Sequence, residues 1–516
     1  MSEVRYLYGA AVQGIQSFIF QTNKLREIVG ASELVEKICT SKFEELVGIS
    51  YVEYNGKYGS ILHAAGNIKY IFGTEEDCKK IVKEFPKKIA EFAPGITVSQ
   101  AVVEMSGVFA DFEKAVNELE KRLRIQRNKP MRSVTLGLMA IERSRQTGLP
   151  IVDERKVKGK MTPVDASTCA KLDMFRDAED PNFELTKSLC NMAFGKTRLK
   201  NSQIAYDIER MTENNDWIAI IHADGNGLGQ VVQAIGTDAK RFKTFSESLD
   251  KATKSAAVGA YDKVKHKFNE NEFIPIRPIV LGGDDFTVIC RADIALDYIT
   301  EFIKQFEIRT DFVKDYKELK FSNLTACAGI AYIKSSFPFY YGYELAEALC
   351  SRAKKDAKAD LNDGELAKSC VMFHKVQDSF TEDWEAIAKR ELTPQPNVSF
   401  EYGPYYINEA KGDRWLVEDL KKKADKLDCK EGNAVKSHLR QWMSLLHDNP
   451  GMAKQKLLRL KSMTTNKDLY DIIGEVTFEY KSKELSYKTP VYDILAIHTI
   501  DTQKTNNTQK TKEDKQ

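Results

Sequence analysis

Gly282-Gly283-Asp284-Asp285 stands between two apolar runs, Arg277-Pro-Ile-Val-Leu281 and Phe286-Thr-Val-Ile-Cys290. The pattern predicts a strand, a tight turn and a second strand, with two carboxylates at the turn. A third acid, Asp224, closes another apolar run, Trp217-Ile-Ala-Ile-Ile-His-Ala-Asp224, sixty positions earlier (284 minus 224). Three carboxylates on neighbouring strand ends can hold divalent metal ions over a nucleoside triphosphate. Attack of a hydroxyl on an α-phosphate builds charge on the nucleophile, the phosphate oxygens and the leaving pyrophosphate, and two Mg²⁺ ions about 3.5–4 Å apart stabilise both ends of that displacement. Mg²⁺ prefers oxygen ligands and keeps several waters, so two or three carboxylates with substrate phosphates suffice. Neighbouring strands lie ~4.8 Å apart, so the acids meet if the two strands pair.

The residues around the acids fit the same chemistry. Gly282 and Gly283 allow positive φ at the turn and clear side chains from the path of a nucleotide. After Asp224 comes Gly225-Asn226-Gly227-Leu228-Gly229, which lets backbone approach phosphate and leads into a helix whose first amides can face anionic oxygens. Lys354 and Lys355, late in a later helix, are candidates to neutralise a triphosphate tail. Each feature alone has a plainer account. Gly-Gly turns are common in hairpins, aspartates after them can be solvated, and adjacent lysines usually mark a solvated helix face. The Gly225-x-Gly227-x-Gly229 spacing also differs from the G-x-G-x-x-G of dinucleotide folds. The combination of strand-ending acid, hairpin and later helix carries the catalytic reading; His222 is assigned no chemistry.

The elements that must hold these residues occur twice. In the second copy Asp216–Ala223 reads as a strand and Asp238–Phe268 as a long helix. Hairpin strands Ile274–Leu281 and Phe286–Cys290 follow, then a helix near Asp293–Asp311, a strand Leu324–Tyr332, a helix Tyr343–Lys358 and a short strand Cys370–His374. The first copy runs through a strand Arg5–Gln13, a largely helical Phe18–Val47, hairpin strands Gly59–His63 and Ile68–Phe72, and a helix Glu75–Phe92. A strand Ile96–Val103, a helix Asp111–Arg127 and a closing strand Val134–Ile141 complete it. Both are βαββαβ units, so the fold class is α+β: two ferredoxin-like domains plus a helical C-terminal domain. The predicted domains are 1–143, a linker region 144–205, 206–374, a helical 375–500 and a disordered tail 501–516, which has no apolar residue. In 375–500, Leu439, Trp442, Met443 and Leu446 form one apolar helix stripe, and Asp413 is a candidate cap for a helix through Trp415 and Leu420. At its hairpin the first copy has Ala64-Ala65-Gly66-Asn67 and after its first strand Gly14-Ile15-Gln16, so it offers no metal-binding carboxylate there.

At 516 residues the chain needs several domains. A net charge of +2 predicts no strong overall attraction to nucleic acid. No apolar run approaches the ~20 residues of a membrane span, and the N-terminus lacks the pattern of a secretory signal. Nine scattered cysteines without a C-x-x-C pair predict a reduced, cytoplasmic location.

At Ile220-Ile-His-Ala-Asp-Gly-Asn-Gly-Leu-Gly229, Leu281-Gly-Gly-Asp-Asp-Phe286, Leu324–Tyr332 and Ala346–Lys355, the sequence resembles the large palm-domain subunit of type III CRISPR effector complexes, the cyclic oligoadenylate synthase. The first copy is similar to that family's degenerate first palm through Gly14–Ile19 and Leu25–Ser32. More distantly, the second copy is similar to the palm of GGDEF-type cyclases. The resemblance implies a palm that binds two ATP molecules with Mg²⁺ or Mn²⁺ and joins the 3′-hydroxyl of one to the α-phosphate of the other, making a cyclic messenger for antiviral defence. It places the metal on Asp224, Asp284 and Asp285, with Gly225 backbone, Lys354 and Lys355 on the nucleotide. The partners implied are nucleoside triphosphates, with RNA and sister effector subunits open.

Many family members begin with a histidine–aspartate nuclease domain, whereas this chain starts at the first palm. Its one His-Asp pair, His447-Asp448, has no accompanying ligands, so no DNase is expected. Only Cys169 and Cys190 lie between the palms, so no four-ligand zinc site is expected. Two other readings remain open: a non-enzymatic scaffold of a ribonucleoprotein, and a stand-alone GGDEF-like cyclic nucleotide synthase. The basic run Lys121–Arg127 is a candidate to meet RNA, but a solvated helix face is the better account of it.

Overall fold

The computed structural model describes residues 4–501 except 49–50, 65, 130–139, 158–159, 176–187, 197–198, 213–216, 236–237, 363, 379–382 and 479–485. The first unit runs β1 (Arg5–Gln13), α1 (Ile15–Ile19), α2 (Leu25–Cys39), α3 (Ser41–Val47), β2 (Gly59–Ala64), β3 (Asn67–Phe72), α4 (Glu75–Phe92), β4 (Thr97–Met105) and α5 (Phe112–Arg127). Thr74 and Asp111 start α4 and α5 by accepting hydrogen bonds from first-turn amides, the usual work of a short polar side chain at a helix N-cap. The sheet order is β2-β3-β1-β4, with β1 antiparallel to both neighbours. The closing strand expected at Val134–Ile141 falls almost wholly outside the described residues.

The stretch after the first unit is more ordered than its polar composition suggests. β5 (Ile151–Val157) and β6 (Lys160–Asp165) form a hairpin, followed by α6 (Ala166–Asp173), α7 (Ser188–Phe194) and α8 (Ile208–Thr212). Helix α6 lies against α2 so closely that a Cβ on Gly30 would meet the Lys171 carbonyl oxygen at 2.0 Å. Cys169 and Cys190 are both buried free thiols, and Cys190 lies 3.2 Å from the Arg277 guanidinium.

The second unit contains β7 (Trp217–Asn226), α9 (Leu228–Ile235), α10 (Ala239–Val264), β8 (Ile276–Gly282), β9 (Asp285–Arg291), α11 (Ala292–Arg309), β10 (Thr325–Lys334), α12 (Phe339–Lys358) and β11 (Cys370–Lys375). Its strands follow the same order as the first sheet, β8-β9-β7-β10, with β11 added parallel to β10. The continuous apolar run of β7 is explained by burial on both faces. Phe286 stacks on Phe302 of α11 at 4.1 Å on one face, while α12 covers β7, β10 and β11 on the other. Gly329 permits that cover, because a Cβ there would meet the Ala346 carbonyl oxygen at 2.0 Å.

The C-terminal region is mainly helical: α13 (Trp384–Glu391), β12 (Val398–Ser399), β13 (Tyr405–Tyr406), α14 (Val417–Lys426), α15 (Gly432–Asp448), α16 (Pro450–Met463), α17 (Lys467–Val476), β14 (Tyr487–Lys488) and helical residues 491–501. Strand β13 extends the second sheet beside β11. Trp442 and Leu439 are 1 % exposed, so the stripe on α15 does face a core. Asp413 does not cap α14. That helix starts after Leu416 with no side-chain cap, since Trp415 and Leu416 are drawn toward β13 by the Tyr406 amide bond to the Trp415 carbonyl. The tail from 502 onward lies outside the described residues. Among the described residues no helix is long and apolar enough to cross a membrane.

Candidate active site

Register brings the acids together. Asp224 of β7 is the direct partner of Asp285 on β9, and Asp285 in turn faces Gly282 on β8. The hairpin loop is therefore just Gly283 and Asp284. Gly283 has φ +60°, the positive value a two-residue loop of the II′ kind needs at its first position. The buried Thr253 of α10 donates to the Gly283 carbonyl oxygen at 2.5 Å and ties the turn to the helix behind it. One carboxylate oxygen from each of Asp224, Asp284 and Asp285 lies within 4.8 Å of the other two. β7 runs two residues past Asp224, because Gly225 and Asn226 pair with Ala326 and Thr325 of β10.

Three carboxylates this close repel one another. Partial burial, then the neighbouring charges of Asp285 and Asp224, push the Asp284 carboxyl up to about 7. Asp285 is raised to about 6 by desolvation and by Asp224. The compensating cation is Lys354, whose ammonium pairs with Asp224 and donates to the Gly225 carbonyl oxygen at 3.0 Å.

Helix α12 delivers that lysine. Tyr343, Glu347, Cys350 and Lys354 follow one another at helical spacing; Tyr343 and Cys350 are buried, Lys354 is half-buried, and Glu347 is exposed. Glu347 was not singled out from sequence. Its carboxyl is raised by desolvation and by the charges of Glu344 and Asp224, and it acts in turn on Asp285. The spacing of seven between Glu347 and Lys354 is the signal that could have found it. Tyr343 stacks on Phe20 of the first unit at 4.4 Å. Thr253 had no local signal, since its role depends on a helix packing behind a turn thirty positions away (283 minus 253). His222 is held near Thr287 at 3.2 Å, and burial pushes it down to about 4, so it stays neutral.

Two of the candidate residues turn their side chains away from the acids. The Asn226 side chain is 3 % exposed and turns into the sheet, donating to Thr325 Oγ1 at 3.2 Å and Cys327 Sγ at 3.4 Å. Lys355, one step round α12, is exposed and has no hydrogen bond or ion pair among the described residues. A helix turns ~100° per residue, so only one of two adjacent lysines can face the acids. Gly225 is tight against the acid turn: a Cβ would lie 2.8 Å from Leu228 Cδ1 and 3.0 Å from Asp284 Cβ. Gly227 has φ +90° and faces Leu366 and Phe321, so its need for glycine is conformational.

Residues 217–362 match the family described as Cas10/Cmr2, second palm domain. The chain carries a Cas10-like palm domain. Asp224, Asp284, Asp285 and Lys354 all fall inside this palm domain. Over its length the chain is similar to a chain of the Csm1–Csm4 cassette in complex with cA3, at 14 % identity and TM-score 0.56, covering 97 % of this chain and 70 % of that one. The same cassette in complex with pppApApA gives 13 % identity and TM-score 0.56, with the same coverage. The Csm1–Csm4 subcomplex of the type III-A CRISPR-Csm interference complex gives 14 %, 0.52 and again 97 % and 70 %. At such identity these likenesses speak for the fold. No curated protein matches the chain in sequence.

Proposed function

We propose that the protein is a nucleotidyltransferase that joins ATP molecules 3′-hydroxyl to α-phosphate and closes a cyclic oligoadenylate messenger, in a CRISPR-like antiviral system. The observation that carries the reading is the convergence of three carboxylates within 4.8 Å on the paired central strands of the palm domain. The donor set fits divalent metal: all oxygen, no thiol or imidazole, and raised carboxyls whose repulsion a cation would relieve. Asp224, Asp284 and Asp285 would hold Mg²⁺ or Mn²⁺, which acidifies the attacking hydroxyl and neutralises charge on the α-phosphate and pyrophosphate.

The chain's own groups do the rest. Asp284 and Asp285 are kept in place by the two-residue loop and by Thr253. Lys354 holds Asp224 in the metal-free protein, and a bound cation would compete for that carboxylate and leave the ammonium free to meet a phosphate. Similar structures hold cA3 and pppApApA and pair with Csm4, which supports adenylate substrates and sister subunits for this chain too. The test is product analysis by mass spectrometry after incubating the full chain with each NTP and Mg²⁺ or Mn²⁺, with and without co-purified nucleic acid. Linked adenylates from ATP are expected, lost in Asp284→Ala/Asp285→Ala. Products from the double variant, or no turnover of any NTP under every condition, would overturn the proposal.

A further inference from the structure

A second candidate site lies away from the acids, where β11 ends against the C-terminal helices. A cavity of about 480 Å³ opens there, walled by Phe400 and Tyr492 and carrying Lys375, Arg440 and His447. Its volume is in the range of small-ligand sites, roughly 300–1,000 Å³. Lys375 is its unusual member. It is 8 % exposed, and its ammonium has no hydrogen-bond or ion-pair partner among the described residues, only the Trp217 ring at 4.5 Å. The charges that act on it are Arg440 and Lys334, both cations. A buried charge without a counterion is strongly disfavoured, and proteins ordinarily pair one or replace it.

The cavity's own acid does not fill that role. Glu391 is engaged by His374 Nε2 at 3.4 Å and Arg390 at 2.9 Å. Arg440 spends one nitrogen on Thr499 Oγ1 at 3.2 Å, and no carboxylate holds it among the described residues. The adjoining outer cavity, about 470 Å³, carries Asp378 and Asp448 as well as Arg390. A long polyanion would have to pass those acids, whereas a small anion can sit inside them.

We propose that this cavity binds a small phosphate-bearing ligand of mononucleotide size, its anionic group on Lys375 and Arg440 and its apolar part on the Phe400–Tyr492 wall. The site is independent of the three aspartates. Cys370 lies level with Cys327 and Asp224 across the sheet, so Lys375, at the other end of β11, is offset from that row by about 16 Å along the strand at ~3.3 Å per residue, and lies two strands to the side as well.

The test is calorimetric titration of the full chain in EDTA with AMP, with inorganic phosphate and with a short oligoribonucleotide. AMP should bind saturably to the wild type and equally to Asp284→Ala/Asp285→Ala. Lys375→Met and Arg440→Gln should each weaken it by about 10-fold, with Lys375→Arg keeping most of it. Lys375→Met should also hold or raise the melting temperature of the ligand-free protein, because it removes an uncompensated buried charge; a lysine with only a structural role would lower it. No saturable binding of AMP or phosphate at roughly millimolar concentration, unchanged AMP binding by Lys375→Met, or binding of the oligonucleotide alone would each overturn the proposal.

Discussion

Replacing Asp284 by Asn removes one of three charges crowded within 4.8 Å. At an effective dielectric of about 20, two unit charges at that separation repel by about 3.5 kcal/mol. The partial exposure of the acids and the ammonium of Lys354 on Asp224 reduce this, leaving a net relief on the order of 2 kcal/mol. In metal-free protein at pH 7.5 and low salt the variant should therefore melt about 4–8 °C higher than wild type, for a cooperative unit of this size. The pH dependence has a fixed sign. The folded carboxyls are raised to about 7 and about 6, above their unfolded values. As pH climbs from about 4 to about 7, the unfolded chain loses these protons first, so the wild type loses stability through that window and levels off above it. Asp284→Asn should flatten that slope. Millimolar Mn²⁺ should stabilise the wild type at pH 7.5 and the variant much less. A variant that melts lower than wild type in EDTA, or a wild type most stable at pH 7.5 without metal, would refute the reasoning.

Three further outcomes are expected. Lys354→Met leaves Asp224 without its cation, so metal-free stability should fall by about 1–2 kcal/mol in a urea melt and return when Mn²⁺ is added; insensitivity to either would remove the lysine from the site. Gly225→Ala places a methyl 3.0 Å from Asp284 Cβ, and kcat/KM with ATP should drop about 10- to 100-fold while the melting temperature moves little. Gly329→Ala would set a Cβ 2.0 Å from the Ala346 carbonyl oxygen and 2.5 Å from the Cys350 amide. It should lift α12 from the sheet and destabilise by about 3 kcal/mol or more, read by denaturant unfolding.

The nearness of Asp224 to the hairpin acids was legible because each apolar run ends at its acid and a two-residue glycine loop fixes the register of β8 on β9, so pairing of β7 with β9 aligns the strand ends. The side on which a residue falls was harder to read. Asn226 sits two positions beyond Asp224 in a strand that continues because β10 pairs with it, and a packing fact of that kind leaves no mark on the local sequence. Lys355 and Lys354 are equivalent in a linear string and differ only once the helix has a phase. Glu347, Thr253 and Lys375 depend on partners far along the chain: α12 over β7, α10 behind the turn, and β11 against the C-terminal helices. The stretch 144–205 misled by composition, since its hairpin packs on α6 and α6 in turn takes its cover from α2, an element more than a hundred positions earlier.

Strand β7 has a hydrogen-bonded neighbour on each side, in the order β10-β7-β9. Its amides from Ile218 to Ala223 can therefore exchange with deuterium only when the whole sheet opens. Asp224 rides on that slowest-exchanging segment. Heat or denaturant should consequently leave the acid cluster intact through any fraying of peripheral helices, and then abolish it in one cooperative step.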